Sequence, residues 1–255
     1  MPTVNYDALS TSYARHRRPD PRIAAQIVAA LGDARRILNV GAGTGSYEPQ
    51  GRKLVALDAS YQMLARRGQR DGGAAAAPAI QARAEALPFA DGAFDAAMAI
   101  LSLHHWQDQR RGLAEMRRVA PRRVVLLTWV GFPQGFWLLD YIPQIQAADA
   151  NRFPTLDTLE AVLGPLRVET VPIPRDCRDG LLCAYWARPA LYLDASARRA
   201  ISVFARMPEP VEGLRRLAAD LRSGRWQRRY GAQAQQSRMD FGYRLVLAGA
   251  ATADG

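Results

Sequence analysis

Three clusters in this 255-residue chain combine residue types and spacings suited to chemistry. In Ile37-Leu38-Asn39-Val40-Gly41-Ala42-Gly43-Thr44-Gly45 an apolar run passes into three alternate glycines. Glycine has no Cβ, so it accepts positive φ and lets a ligand approach the main chain. The N–H groups of a following helix would receive polar ligand atoms. The spacing is G-x-G-x-G, whereas the dinucleotide fingerprint is G-x-G-x-x-G, and Ser46 stands where the last glycine would fall. A nucleotide-type ligand other than NAD is expected. The second cluster, Lys53-Leu54-Val55-Ala56-Leu57-Asp58, is a short apolar strand closed by a carboxylate that can accept both hydrogen bonds of a ribose diol. The third, Ser102-Leu103-His104-His105-Trp106, holds two of the three histidines. Imidazole titrates near neutrality and can take a proton from an alcohol, phenol, carbon acid or protonated amine. Neighbouring side chains of an extended segment point opposite ways, so only one of His104 and His105 would face a pocket.

Positioning these clusters requires strands that end beside one another. Asp20-Pro21 can start a helix over about 21–31, with Ile23, Ile27, Val28 and Leu31 at helical spacing. Strands are expected near 36–40 and 53–57, a helix near 60–68, and an uncommitted loop from Asp71 to Pro78. Phe94 to Ile100 reads as a strand, 108–119 as a helix carrying Leu113 and Met116, and Val124 to Thr128 as a strand. This alternation predicts a mostly parallel, doubly wound α/β sheet. Ligands of such sheets lie beyond the carboxyl ends of the strands, where the glycine loop, Asp58, Ser102 and His104 fall. After residue 130 the pattern is less regular. Phe132 to Trp137 opens a helix to near Tyr141, which Pro143 ends or kinks. Leu166 to Val171 and Phe241 to Ala248 read as late strands, with helices near 194–206 and 211–222 between them.

Further motifs follow in order: Ala59-Ser60-Tyr61-Gln62-Met63-Leu64-Ala65, Ala84-Glu85-Ala86-Leu87-Pro88-Phe89 and Asp91-Gly92-Ala93-Phe94-Asp95. With the glycine loop and Asp58 they resemble the class I S-adenosylmethionine-dependent methyltransferases, in the branch that includes the ubiquinone and menaquinone biosynthesis enzymes. The resemblance covers roughly residues 5 to 130. It implies a Rossmann-like, seven-stranded, mostly parallel sheet with the last strand antiparallel, plus a small helical cap. It implies S-adenosyl-L-methionine as cofactor, with Gly41, Ala42, Gly43 and Gly45 at its amino-acid part, Asp58 at the ribose, Ala59 and Met63 on one adenine face, and Ala84 and Glu85 at the adenine edge. Tyr13, Asn39 and Ser102 complete that cofactor set. His104 and His105 are the candidate catalytic residues, and Trp106, Trp137, Asp140, Tyr141 and Asp176 the candidate substrate wall. Many relatives carry an acid where Asn39 stands, and an aspartate near Arg83 that accepts from the adenine amino group. Arginine cannot accept that bond.

Composition narrows the class. With 49% hydrophobic residues the chain can bury one large α/β core, or a core with a small cap. One methyltransferase domain is expected, with 1–20 as an N-terminal lid, 21–130 as the cofactor core, 131–235 as cap and late strand, and 236–255 as final strand and tail. No apolar run approaches the roughly 18 to 20 residues of a membrane span, and the start lacks a signal-peptide pattern, so a cytoplasmic protein, monomer or homodimer, is expected. Cys177 and Cys183 lack metal-ligand spacing, so no metal is expected. The net charge of +10 comes almost wholly from scattered arginines, with Lys53 the single lysine, so a small-molecule substrate is favoured over nucleic acid. An RNA or protein methyltransferase, a nicotinamide oxidoreductase and a non-catalytic cofactor-binding protein stay open at this point.

Overall fold

A computed structural model describes residues 16–67, 77–149 and 151–249. Tyr13, most of the expected lid and most of the loop from Asp71 to Pro78 lie outside the described residues. Contacts divide the chain into two units.

Of the described residues, the sheet unit comprises 21–67, 77–130, 152–171 and 243–249. Its elements are α1 (Pro21–Leu31), β1 (Arg36–Val40), β2 (Lys53–Asp58), α2 (Tyr61–Ala65), β3 (Ala79–Gln81), β4 (Ala96–Ile100), α3 (Gln109–Val119), β5 (Val124–Trp129), α4 (Leu156–Leu163), β6 (Leu166–Thr170) and β7 (Tyr243–Ala248). The strands lie in the order β3-β2-β1-β4-β5-β7-β6. The first five are parallel, and β7 runs antiparallel between β5 and β6. This is the seven-stranded sheet expected from the sequence. Its centre is apolar because β4 (Ala-Ala-Met-Ala-Ile) and β5 (Val-Val-Leu-Leu) are covered on both faces, as inner parallel strands must be. Helix α3 starts where Asp108 accepts a hydrogen bond from the Arg111 N–H at 3.0 Å. It buries Leu113, Met116 and Val119, each stabilising the fold by about 1.5 to 3 kcal/mol.

Several local expectations are corrected. Val28 is 39% exposed and lies off the buried stripe of α1, which is Ile23, Ile27, Ala30 and Leu31. The helix expected over 60–68 is the shorter α2. The edge strand β3 and helix α4 were not anticipated, the first because Ala79-Ile80-Gln81 is exposed and too short to show a pattern.

Of the described residues, the helical unit comprises 16–20, 131–149, 151 and 172–242. Its interior is aromatic: Trp137, Trp186, Tyr192, Trp226 and Phe241 are buried, and the Trp137 ring stands edge-on to Trp226 at 5.2 Å and to Tyr192 at 5.6 Å. The stretch expected as a helix up to Tyr141 forms only a three-ten turn, Trp137–Asp140, before Pro143. The helix expected over 194–206 breaks into Ala195–Arg199 and a three-ten turn, Phe204–Arg206. Helix α5 (Val211–Arg222) agrees with its expected span, and α6 (Arg225–Ala234) follows. Ile173–Pro174 and Arg238–Met239 form a two-stranded ribbon. The described end of the N-terminal segment belongs to this unit: Arg17 pairs with buried Asp179 at 2.6 Å, the Gly180 N–H donates to the His16 carbonyl at 2.7 Å, and the Arg178 N–H donates to Asp20 at 3.1 Å.

Candidate cofactor and catalytic site

The carboxyl ends of β1, β2 and β4 bring most of the chemistry-bearing residues together in the sheet unit. Gly41, Gly43 and Gly45 all have positive φ, at 70°, 52° and 89°. At Gly41 the need for glycine is also steric, since a Cβ would lie 2.5 Å from Cβ and 2.7 Å from Oγ of Ser102. Ser102 is buried and donates from Oγ to the Val40 carbonyl at 3.0 Å. It follows Leu101, whose φ of 50° is costly for a branched residue. The Gly41 and Ala42 N–H groups both donate to the Leu57 carbonyl, at 2.8 and 3.0 Å, which ties the loop to the end of β2.

Asp58 completes that tie. One carboxylate oxygen accepts from the Gly43 N–H at 2.7 Å and the other from the Ser60 N–H at 2.8 Å. Capping of α2 falls to Ser60, whose Oγ accepts from the Met63 N–H at 3.3 Å, so Asp58 is not the helix cap. A carboxylate has about four acceptor positions. Two remain at Asp58, matching the two hydroxyls of a ribose diol. Met63 is buried, and its Cε lies 3.3 Å from where a Cβ on Gly43 would stand. Asn39 is also buried; its Nδ2 donates to Glu48 at 2.9 Å, and its Oδ1 has no partner among the described residues.

Glu85 is half-buried and held by main-chain groups. It accepts from the Gln107 and Asp108 N–H groups at 2.8 and 3.1 Å, pinning the Ala84-Glu85 turn against the start of α3. Burial raises its pKa, but those two bonds and the Arg83 charge outweigh it and leave the carboxyl below its ordinary value. The Leu87-Pro88-Phe89 stretch is held from α3 as well. Arg118 donates to the Leu87 and Phe89 carbonyls at 3.1 and 2.8 Å, and Glu115 accepts from the Leu87 N–H at 2.9 Å.

The histidine pair sits in a three-ten turn, Leu103–His105, rather than an extended segment. The two rings therefore lie beside one another, centroids 4.0 Å apart, instead of pointing opposite ways. His104 is buried against Phe153 at 4.5 Å, and its carbonyl accepts from Arg152 at 2.8 Å; His105 is exposed. Trp106 packs over Gly112 of α3, where a Cβ would stand 2.6 Å from the indole, and its Nε1 approaches Gly41.

Of the expected substrate wall, Trp106 lies in the sheet unit and the other four residues in the helical unit. Trp137 is core, donating from Nε1 to the Trp186 carbonyl at 2.8 Å, and Tyr141 is buried with its hydroxyl donating to Asp220 at 2.8 Å. Asp140 accepts from the Tyr230 hydroxyl and pairs with Arg229 at 2.9 Å. Asp176 is exposed. Both cysteines are buried thiols and form no disulfide. Sequence reasoning missed Glu48 and Arg67, which pair at 2.7 Å beneath the loop. Glu48 lies in a stretch with no periodicity, and Arg67 is one of many arginines.

Residues 38–127 match the methyltransferase domain family. A demethylmenaquinone methyltransferase of Renibacterium salmoninarum is 37% identical over 122 residues, which is 46% of this chain and 48% of the relative. A malonyl-[acyl-carrier protein] O-methyltransferase of Erwinia pyrifoliae is 31% identical over 181 residues, 64% of this chain and 67% of the relative. The crystal structure of a candidate methyltransferase from an antibiotic biosynthesis pathway of Anabaena variabilis has a TM-score of 0.83 at 32% identity, covering 92% of this chain and 100% of that one. Sheet order and the similarity to the Anabaena structure together define a methyltransferase of the Rossmann-like class. The chain belongs to the class I S-adenosylmethionine-dependent methyltransferases, a family of enzymes whose cofactor is S-adenosylmethionine. It spans about half the length of the demethylmenaquinone methyltransferases that it matches.

Proposed function

We propose that this protein moves the methyl group of S-adenosylmethionine onto an oxygen, nitrogen or carbon nucleophile of a small molecule. The observation that carries the reading is the clasp between Asp58 and the Gly43 N–H, which fixes a bare backbone loop and leaves two carboxylate acceptors beside it. In this proposal Gly41, Ala42, Gly43 and Gly45 lie along the amino-acid part of the cofactor and Asp58 holds the ribose. Ala59 and Met63 cover an adenine face, and the Ala84 main chain meets its edge while Glu85 fixes that turn. The bound cofactor supplies an electrophilic methyl on a sulfonium, whose departure needs no proton. The protein's own task is then alignment in a site closed to water, an effect able to supply about 7 to 11 kcal/mol. Where the nucleophile carries a proton, an imidazole nitrogen of the His104–His105 pair accepts it, and Ser102 keeps the loop in register with that turn.

Support for a small acceptor comes from where the arginines go. Arg17, Arg67, Arg118, Arg198 and Arg206 are each paired with a carboxylate, so these five are committed to internal ion pairs rather than to a phosphate-binding face. No described helix is long and apolar enough to cross a membrane, and no described His, Cys, Asp and Glu group could hold a metal. The cytoplasm is the proposed location. Relatives named for a quinone precursor and for a malonyl thioester make phenols, enols and carboxylates the first acceptors to try. Parallel calorimetric titrations with S-adenosylmethionine, S-adenosylhomocysteine and NAD, followed by radiolabelled methyl transfer to such acceptors, test the proposal. Micromolar binding of the first two and turnover of a small acceptor are expected. Binding of NAD alone, or a salt-sensitive preference for RNA or protein, would overturn it.

A further inference from the structure

The connection between β1 and β2 is unusual for parallel neighbours. Such strands are normally joined by a crossover of a dozen or more residues built around a helix. Here residues 41–52 contain turns and no helix. The glycine loop therefore lacks the helix N-terminus that would stiffen it and offer its N–H groups.

A buried polar clip occupies that place. Asn39 Nδ2 donates to Glu48 Oε1 at 2.9 Å, and Arg67 Nη2 donates to Glu48 Oε2 at 2.7 Å. Asn39 is 1% exposed overall, and the Arg67 and Glu48 side chains are 4% and 14% exposed. Glu48 reaches Asn39 because the chain reverses at Tyr47, a buried residue held at φ 63°. That conformation is unfavourable for an aromatic side chain and persists only where its surroundings fix it. The clip also seats the glycines. A Cβ on Gly45 would stand 3.1 Å from both Arg67 Nη1 and Glu48 Oε2, and one on Gly43 would meet Met63 Cε. Met63 lies in α2 and Arg67 just past its end, so the helix faces Gly43 and the turn after it faces Gly45.

We infer that Glu48 and Arg67 are positioning residues of the cofactor loop, acting through Asn39 to hold Gly43 and Gly45 in the place of the missing helix. Here Glu48 supplies the carboxylate that the family resemblance places at residue 39, and Arg67 balances it. This rests on the reading of the loop as the cofactor site. Two consequences distinguish the clip from ordinary packing. Asn39→Asp sets two carboxylates face to face in a buried site, which disfavours both being charged. Adding Glu48→Gln restores complementarity, because the introduced amide nitrogen can donate to the new carboxylate while the amide carbonyl accepts from Arg67.

The test is calorimetric titration of S-adenosylhomocysteine into wild type, Asn39→Asp, Asn39→Asp/Glu48→Gln and Arg67→Met, each with its melting temperature. Close pairs couple strongly in such cycles, so a loss of about tenfold or more in affinity is expected for Asn39→Asp and Arg67→Met, with the double variant back within about threefold of wild type. If Asn39→Asp does not fold, Arg67→Met and the double variant carry the test. Variants that melt lower but bind as wild type would reduce the clip to packing and overturn the inference. So would a double variant no better than Asn39→Asp. Wild-type protein that binds no S-adenosyl compound would instead overturn the functional reading, and the inference with it.

Discussion

Replacing Asp58 by alanine separates a cofactor site from a structural turn. The wild-type carboxylate makes two main-chain bonds, to the Gly43 and Ser60 N–H groups at 2.7 and 2.8 Å, and has two acceptor positions left for a diol. Hydrogen bonds to a charged group contribute roughly 1.5 to 3 kcal/mol each. Asp58 is only partly buried, so the low end applies, and losing two ribose bonds should cost about 2 to 4 kcal/mol of cofactor binding, or about 30- to 900-fold in Kd. Freeing the Gly43 N–H loosens the loop and acts in the same direction. Calorimetric titration of S-adenosylhomocysteine measures the change directly, with thermal melting to establish that the variant is folded. A Kd within about threefold of wild type would refute the ribose assignment, because the loss of even one charge-assisted bond exceeds that.

Gly41→Ala and Gly92→Ala form a matched pair, since both glycines have similar positive φ, 70° and 65°, but only Gly41 has Ser102 in the way of a Cβ. Gly92→Ala should cost about 1 to 2 kcal/mol, and Gly41→Ala about 1 to 3 kcal/mol more; equal losses in denaturant unfolding would contradict the close approach of Ser102. His104→Ala and His105→Ala should keep cofactor affinity within about threefold while lowering kcat about 100-fold or more for a protonated nucleophile; lost binding would make the pair structural. Glu115 is held below its ordinary value of 4.5, first by its hydrogen bonds from Arg118 and then by the Leu87 N–H, against the opposing effect of burial. A depressed carboxyl contributes stability that is present above its unfolded pKa and lost as pH falls through the folded one. The melting-temperature advantage of wild type over Glu115→Gln should thus be full at pH 6 to 7 and shrink below about pH 4.5; a constant difference would show that Arg118 gains nothing from the charge. Burial, with the Asp179 and Asp20 charges, pushes the Cys177 thiol up to about 12, so at pH 8 it should resist alkylation in the folded protein and react only on unfolding, which mass spectrometry of iodoacetamide-treated protein checks.

What the sequence reveals of this fold follows from how strongly each element is specified locally. β1, β2, β4 and β5 are largely apolar runs bounded by polar residues or glycine, as inner strands of a parallel sheet must be, and the antiparallel β7 is a similar run buried between β5 and β6. α3 and α5 show a 3.6-residue stripe with polar residues between. β3 is three exposed residues that owe their conformation to the edge of β2, and nothing local records that pairing. The helical unit is harder to read because its core consists of aromatic residues on turns and three-ten segments. Trp137 and Trp186 are fixed by bonds from their indole N–H groups to carbonyls far along the chain. For the same reason Trp137 and Tyr141, which from sequence looked available to a substrate, are interior residues.

The glycine loop shows the boundary most sharply. The glycine spacing and Asp58 are legible because each reflects a requirement of one position, positive φ or a carboxylate at a strand end. The clip beneath them is not, because Asn39, Glu48 and Arg67 fit together only through the short crossover that lacks a helix. The length of that connection is nevertheless readable. Val40 and Lys53 end and begin adjacent parallel strands, and residues 41–52 include the glycine loop, Pro49 and Gly51, leaving too little chain for a helix of ordinary length. A loop deprived of its helix needs another source of order, and a buried charge pair beside it is the chemistry able to supply one. Glu48 is the single acid within that crossover, and Arg67, just past the end of α2, is the base whose side chain reaches it.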